Sequence, residues 1–450
     1  MMFGILSSYI LIGFFAVNQL FIKKNSKFIF LPSHMLFFII YCSGLVNFIL
    51  FINTDLILGN FSDAITSRHI STFLIEDNID QSLFYEIHIF NVIFLFVLLI
   101  FFFSNIYTSK LYFNFTNLNI KISEIYDRNK RIKIFLTFLF FLLLSPVKLI
   151  FSFFYDASFL TLSLICIEWI GRVETKINFN FKVTISIFLL LVITVLYPSL
   201  ISIFNEGYSL EIPRGSFVKY IIIILLFSSL NQLSNFKVDP TKLIKYLIFV
   251  FIIVFFLDVI QDLSAFSEHS LFEKLFRILY IFEHTIFRNA VVVLNNVKDS
   301  NTYLYGETYL NAIHGLIPFT GVERGLSKSI VLLYENLLEE SFKGKGFASG
   351  YISEGILNFG IYFGAIFTAV IISTLLFFTD YIFSIYKRSF LHSLTAIYLT
   401  SLLYLLFRYD TAVILRKIEY GLILLLLLVI AYSIIGFISS KLSSRHNVKH

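Results

Sequence analysis

Long apolar runs, each closed by a short cluster of charged residues, recur along the chain almost from end to end. A bilayer core about 30 Å thick takes roughly 20 residues of helix. On that measure the spans run from Met2 to Ile22, Phe28 to Ile52, Ile89 to Ile106, Ile134 to Phe151, Ala157 to Ile170 and Val183 to Phe204. They continue from Phe217 to Leu233, Leu243 to Ile260, Glu354 to Phe378, Phe390 to Phe407 and Tyr420 to Ile438. The pattern predicts an all-α polytopic membrane protein with about eleven transmembrane helices. The fifth run is short, and reads either as a tilted span or as half of a re-entrant pair with the fourth. The first run has neither the basic start nor the small-residue cleavage site of a signal peptide, so it reads as a span. Between the eighth and ninth runs lies Gln261 to Ser353, the one segment long enough to build more than a connection. It reads as at least two amphipathic helices around a turn-rich middle, Asp299 to Gly325. The chain therefore divides into an N-terminal bundle (1–260), a large loop (261–353) and a C-terminal part (354–450) with a basic tail.

Composition sharpens this picture. The 450 residues are 58% hydrophobic and 14% charged, with a mean hydropathy of +0.84. A soluble domain of this length could not bury so much apolar side chain, because its core grows only with its volume. The net charge of +6 is no nucleic-acid signal, since the charges sit mostly in short loops. Alternate loops carry roughly 20 of the 35 Lys and Arg, against about seven in the opposite short loops, and the basic set marks the cytoplasmic side. That orientation puts the C-terminus inside and the Gln261–Ser353 loop outside. Cys42 and Cys166 fall in apolar runs, which argues against a disulfide framework. Phe, Ile, Asn, Lys and Tyr are residues that AT-rich codons favour, so the 57 phenylalanines are not read as a sugar-stacking surface.

Several polar positions could carry chemistry. Arg277, His284, Arg288 and Asn295 are spaced by seven, four and seven residues, which keeps all four within about 20° on one helical face. Leu275, Leu279, Ile286 and Val293 occupy the other face. Such a helix can lie at the membrane interface with its polar stripe toward a cavity, or toward lipid headgroups. Arg214, Arg408 and Arg416 lie in short external loops, against the charge bias, and an arginine fork can clamp a phosphate or carboxylate. Pairing of Arg408 with Asp410 at a helix end is the plainer reading. Glu354 and Asn358 are four apart, hence on one face where the ninth span begins. A carboxylate there is costly unless solvated or paired, or favoured by the helix dipole. Gly360 and Gly364 form a GxxxG pair suited to close helix packing. His314, after Glu307 and the run Tyr309 to Ala312, could act as a base, or simply be exposed. Motifs for nucleotide phosphates, zinc hydrolysis or metal-bound nucleotide sugars are missing from the sequence. The chemistry expected is externally facing, independent of ATP and of a metal, with no cofactor.

Two runs, Glu354 to Gly360 (EGILNFG) and Tyr309 to Pro318 (YLNAIHGLIP), stand with a large external loop and an arginine after the penultimate span. Together they resemble the bacterial O-antigen polymerase (Wzy-type) family. Members of that family typically place an aromatic or aliphatic pair between the acid and Asn-Phe-Gly; here Gly355 follows the acid. The resemblance implies an inner-membrane glycosyltransferase that joins polyprenyl-diphosphate-linked oligosaccharide repeat units into a surface polysaccharide, by inverting transfer on the outer face. It implies a base for the acceptor hydroxyl, Glu354 or His314, and a catalytic Arg408. Arg214, Arg277, His284, Arg288, Arg324, Asn358 and Arg416 would contact diphosphate or glycan. Its partners would be lipid-linked oligosaccharides, membrane lipids, a chain-length regulator and a flippase, with no nucleic acid.

Three rivals remain. An O-antigen ligase shares this layout and differs in its acceptor. A flippase or other transporter would bury ionisable residues within its spans, and the sequence places Glu168 and Asp258 near span ends. A structural membrane protein would use the external loop only to dock partners.

Overall fold

The computed structural model describes residues 1–21, 31–52, 82–103, 128–144, 151–171, 284–314, 350–385, 389–408 and 410–447, together with 182, 185, 186 and 189. Among these residues the elements are helices: α1 (Met2–Phe21), α2 (Pro32–Ile52), α3 (Ser82–Phe102), α4 (Arg128–Leu144) and α5 (Phe151–Gly171) come first. They are followed by α6 (His284–Ser300), α7 (Glu307–His314), α8 (Gly350–Ser384), α9 (Phe390–Ser401), α10 (Leu403–Arg408) and α11 (Thr411–Asn447). Five of them, α1, α2, α3, α8 and α11, are long and apolar enough to cross a membrane. Their outward faces carry large apolar side chains such as Phe3, Phe14, Phe96, Phe363, Leu422 and Phe437, the inverse of a soluble surface and the natural one against lipid. The spans expected around 217–233 and 243–260 lie outside the described residues, as does 183–204 apart from three helical positions.

Helix ends differ from the expected ones. α3 starts at Ser82 rather than Ile89, taking in Glu86, whose carboxylate is paired with Lys298 at 2.6 Å. α5 runs the full Phe151–Gly171 rather than a short Ala157–Ile170. The expected span from Phe390 to Phe407 is two helical stretches joined at Leu402, whose own backbone stays helical (φ −77°, ψ −12°). α11 starts at Thr411 rather than Tyr420, so Arg416, Lys417 and Glu419 belong to its first turns and not to a loop. Hydropathy stops a span at the first charge, whereas backbone hydrogen bonding carries the helix on to its cap. For α11 that cap is Asp410, whose Oδ1 accepts the Val413 N–H at 2.9 Å.

α1, α2 and α3 pack as an up-down-up unit. Tyr9 meets Tyr41 and Phe48, and Phe51 of α2 stacks on Phe84 of α3 at 3.8 Å between ring centres. At the far end of the same pair, Phe37 lies 5.1 Å from Phe103. There His34 Nδ1 accepts the Leu31 N–H, and its Nε2 donates to the Phe102 carbonyl, each at 3.0 Å. Asp380 of α8 accepts the Ser33 N–H at 3.1 Å. The start of α2 and the ends of α3 and α8 are thereby fastened together at one end of the bundle.

α8 carries the least regular feature. Gly360 has φ 75° and ψ −167°, a conformation open essentially to glycine alone, and the helix breaks there. The two parts then fold against each other. A Cβ on Gly364 would lie 2.3 Å from the Gly355 carbonyl oxygen, and one on Gly355 would lie 2.6 Å from Thr368 Oγ1. In a continuous helix Gly355 and Thr368 would be about 20 Å apart. Gly350–Phe359 is thus a half-helix doubled back on the spanning half. Gly360 and Gly364 do not form a face for another helix; the first makes the break, and the second lets the two halves of α8 touch.

α6 is packed into the bundle against α3 and α8, rather than lying with one apolar face on an interface. Ile286 and Val293 are buried as expected, but Asn289 and Val292 are buried too. Arg277 lies outside the described residues, as do the side chains of His284 and Arg288. The segment read as turn-rich contains α7, reached through a tight turn at 301–306 in which Asn301, Tyr305 and Gly306 take positive φ.

Candidate functional site

The break at Gly360 strips the preceding carbonyls of their helical partners, and the 301–306 turn replaces them. Leu304 N–H donates to Leu357 O at 3.0 Å and Tyr305 N–H to Asn358 O at 3.1 Å. The Gly306 N–H donates to Asn358 Oδ1 at 3.0 Å. These bonds dock α7 directly over the half-helix.

Glu354 sits one turn before Asn358, almost fully buried. Its Oε2 accepts from both the backbone N–H and the hydroxyl of Thr411, each at 2.8 Å. Its Oε1 accepts a longer bond of 3.3 Å from Thr308 Oγ1. Thr411 is the first residue of α11, so Glu354 and Asp410 both lie at that helix's N-terminus, where unpaired N–H groups and the helix dipole favour negative charge. Asn358 closes the cluster by donating to the Glu354 carbonyl and to Thr308 Oγ1. Both ends of its amide are thus used inside the protein, which makes it a clamp.

Tyr309 lies beside this cluster. Its hydroxyl is within 3.0 Å of Thr368 Oγ1, and its ring stacks on Phe359. Burial, reinforced by the neighbouring Glu354 carboxylate, pushes its hydroxyl well above the usual tyrosine range. It therefore keeps its proton and remains a donor.

The structure thus brings together three pieces that are distant in sequence: the Glu354–Gly360 run, the start of the Tyr309–Pro318 run, and the junction after Arg408. The Arg408 backbone ends α10 three residues before Thr411; its side chain is outside the described residues. His314 ends α7 on an exposed surface, two turns beyond Thr308. Arg416 is exposed in the second turn of α11. Asn295 donates to Asp299 within α6 at 3.2 Å. Arg214 and Arg324 lie outside the described residues.

Sequence reading missed Thr308, Thr411 and Thr368, because a threonine that holds a carboxylate looks like any other. It also missed a set of buried polar residues inside the helices: His34, His88, Asn91 and Asp380. Among the described residues, no group of three or more His, Cys, Asp or Glu side chains is placed to hold a metal ion. No family model matches the chain, and neither a curated protein nor a solved structure matches it.

Proposed function

We propose that the chain is a membrane-embedded glycosyltransferase that polymerises polyprenyl-diphosphate-linked oligosaccharide repeat units on the outer side of a bacterial plasma membrane. The observation that carries this reading is the meeting of the two motif runs at one buried carboxylate, Glu354, against the helix start that follows Arg408. In the reaction an acceptor hydroxyl attacks the anomeric carbon of the donor sugar with inversion. The hydroxyl proton passes to Glu354. The bond from the anomeric carbon to the diphosphate oxygen breaks, and its electron pair leaves with the polyprenyl diphosphate. Glu354 suits the base because Thr411 fixes one oxygen while Oε1 keeps only one long hydrogen bond. The exposed His314 suits it less. Arg408, with Arg214, Arg277, His284, Arg288, Arg324 and Arg416, is assigned to the diphosphate and glycan, since fixed cations stabilise charge developing on the leaving group.

A second reading has specific support. His34, His88 and Asp380 are buried within helices, and α8 is broken. Both are features of transporters that carry a polar cargo through a membrane. One experiment separates the readings. A deletion strain is complemented with wild type, Glu354→Gln or Arg408→Ala, with membrane levels matched, and its surface polysaccharide is run on a gel. The polymerase reading expects both variants to yield a single capped repeat unit in place of the ladder. A normal-length ladder left on its lipid carrier indicates a ligase. Lipid-linked repeat units stranded on the cytoplasmic face indicate a transporter.

A further inference from the structure

The half-helix Gly350–Phe359 is gripped from a second side, by a chain of polar side chains that the reaction above does not use. Tyr351 Oη donates to Asn91 Oδ1 of α3 at 2.6 Å. Asn91 Nδ2 donates to Tyr9 Oη of α1 at 2.8 Å. The Tyr9 hydroxyl in turn lies 3.0 Å from His88 Nδ1. The other ring nitrogen of His88, Nε2, is buried without a hydrogen-bond partner. What surrounds that ring is aromatic: Phe287 stacked at 5.0 Å, with Phe84 and Phe48 edge-on at 4.5 and 4.8 Å.

The hydrogen bonds run unbroken from Tyr351 to His88, and three helices take part. α2 makes room for it. A Cβ on Gly44 would lie 2.1 Å from Asn91 Nδ2 and 2.8 Å from Tyr9 Oη. Four buried polar side chains, one with an unpartnered ring nitrogen, are an expensive way to fill a bundle that phenylalanine could fill. What they supply is a fixed place for the Tyr351 hydroxyl. Tyr351 stands three residues before Glu354, on an adjoining part of the same helical face. The half-helix is short, and its far end is a glycine break, so its rotation is set from outside. Asn358 and the 301–306 turn hold one end of it; Tyr351 is the matching hold at the other.

We infer that Tyr351 is a positioning residue: through Asn91, Tyr9 and His88 it fixes the rotation of Gly350–Phe359, and hence where the Glu354 carboxylate points. The functional meaning of this hold rests on Glu354 being the base, but the geometry is tested without any activity. Membrane vesicles holding the full chain are treated with dicyclohexylcarbodiimide, at a pH where wild type is labelled, and the rate of modification of Glu354 is followed by peptide mass spectrometry. Tyr351→Phe and Asn91→Leu should each change that rate by about threefold or more, the scale of one lost neutral hydrogen bond. His34→Leu, which removes two buried hydrogen bonds at the opposite end, should leave it unchanged. A wild-type rate in both Tyr351→Phe and Asn91→Leu overturns the inference. So does an equal change in His34→Leu, which would mean general loosening. A full ladder from Glu354→Gln would sink the base assignment while leaving the labelling result to stand by itself.

Discussion

Gly360 and Gly364 give the site its shape through what they lack. At Gly360 a Cβ would meet a φ of 75° and the Tyr303 ring at 3.3 Å; at Gly364 it would meet backbone, the Gly355 carbonyl, which has no rotamer to give way. Gly360→Ala and Gly364→Ala should each destabilise the protein by about 1–3 kcal/mol, the first through strained backbone and the second through overpacking, and lower the thermal midpoint in detergent by several degrees. Gly4, with nothing within 4 Å of the position of its Cβ, serves as the control, and Gly4→Ala should be silent. Glycine spacing was visible in the sequence, but its meaning was not. The same GxxxG serves two helices or one folded helix, and only the dihedral at Gly360 tells them apart.

At the scale of elements, α7 is held by its turn rather than by its own length. Eight residues are too few for a stable helix in isolation. Its support comes from the carbonyls freed at the break, which bind the Leu304 and Tyr305 N–H groups, and from Thr308 between Glu354 and Asn358. Amide exchange at Leu304 and Tyr305 should therefore be slow, although both lie in a turn. Thr308→Val keeps the shape and removes the hydroxyl. It should cost about 1–3 kcal/mol through the polar partners left short of bonds, and should speed exchange across 301–314. Unchanged exchange there would mean that Thr308 does not fasten α7. The existence of a helix after 284 was legible from its 3.6-residue pattern. The short α7 was not, because eight residues, about two turns of helix, leave too little periodicity to read.

At the scale of the whole molecule, the ends of the helices fall into two sets. Ser82, Ser300, Gly360 and Thr411 lie toward the end that holds Glu354, while Pro32, Phe102 and Ser384 lie toward the other. Under the proposed orientation, drawn from the basic loops, this second end is the cytoplasmic one. An impermeant maleimide applied to intact cells should therefore label Asn301→Cys and spare Ser389→Cys, both made in a chain carrying Cys42→Ala and Cys166→Ala. Labelling of Ser389→Cys alone would reverse the orientation and remove the site from the outer face. The apolar exterior, with Phe96, Phe363 and Leu422 facing outward, fits such placement across a bilayer.

The sequence by itself determined that the chain is helical and apolar enough for a membrane, which residues begin and end most described helices to within a few turns, and that Glu354 and Asn358 share a face. Composition and a period of 3.6 residues are local properties, and they survive without knowledge of the fold. Only the tertiary structure decided that α8 doubles back at Gly360, that Thr308 and Thr411 each hold one oxygen of Glu354, and that His88, Tyr9, Asn91 and Tyr351 form one hydrogen-bonded chain. Those facts depend on which carbonyls a break sets free and which side chains from distant segments can reach them. No window of sequence contains both partners of such a bond.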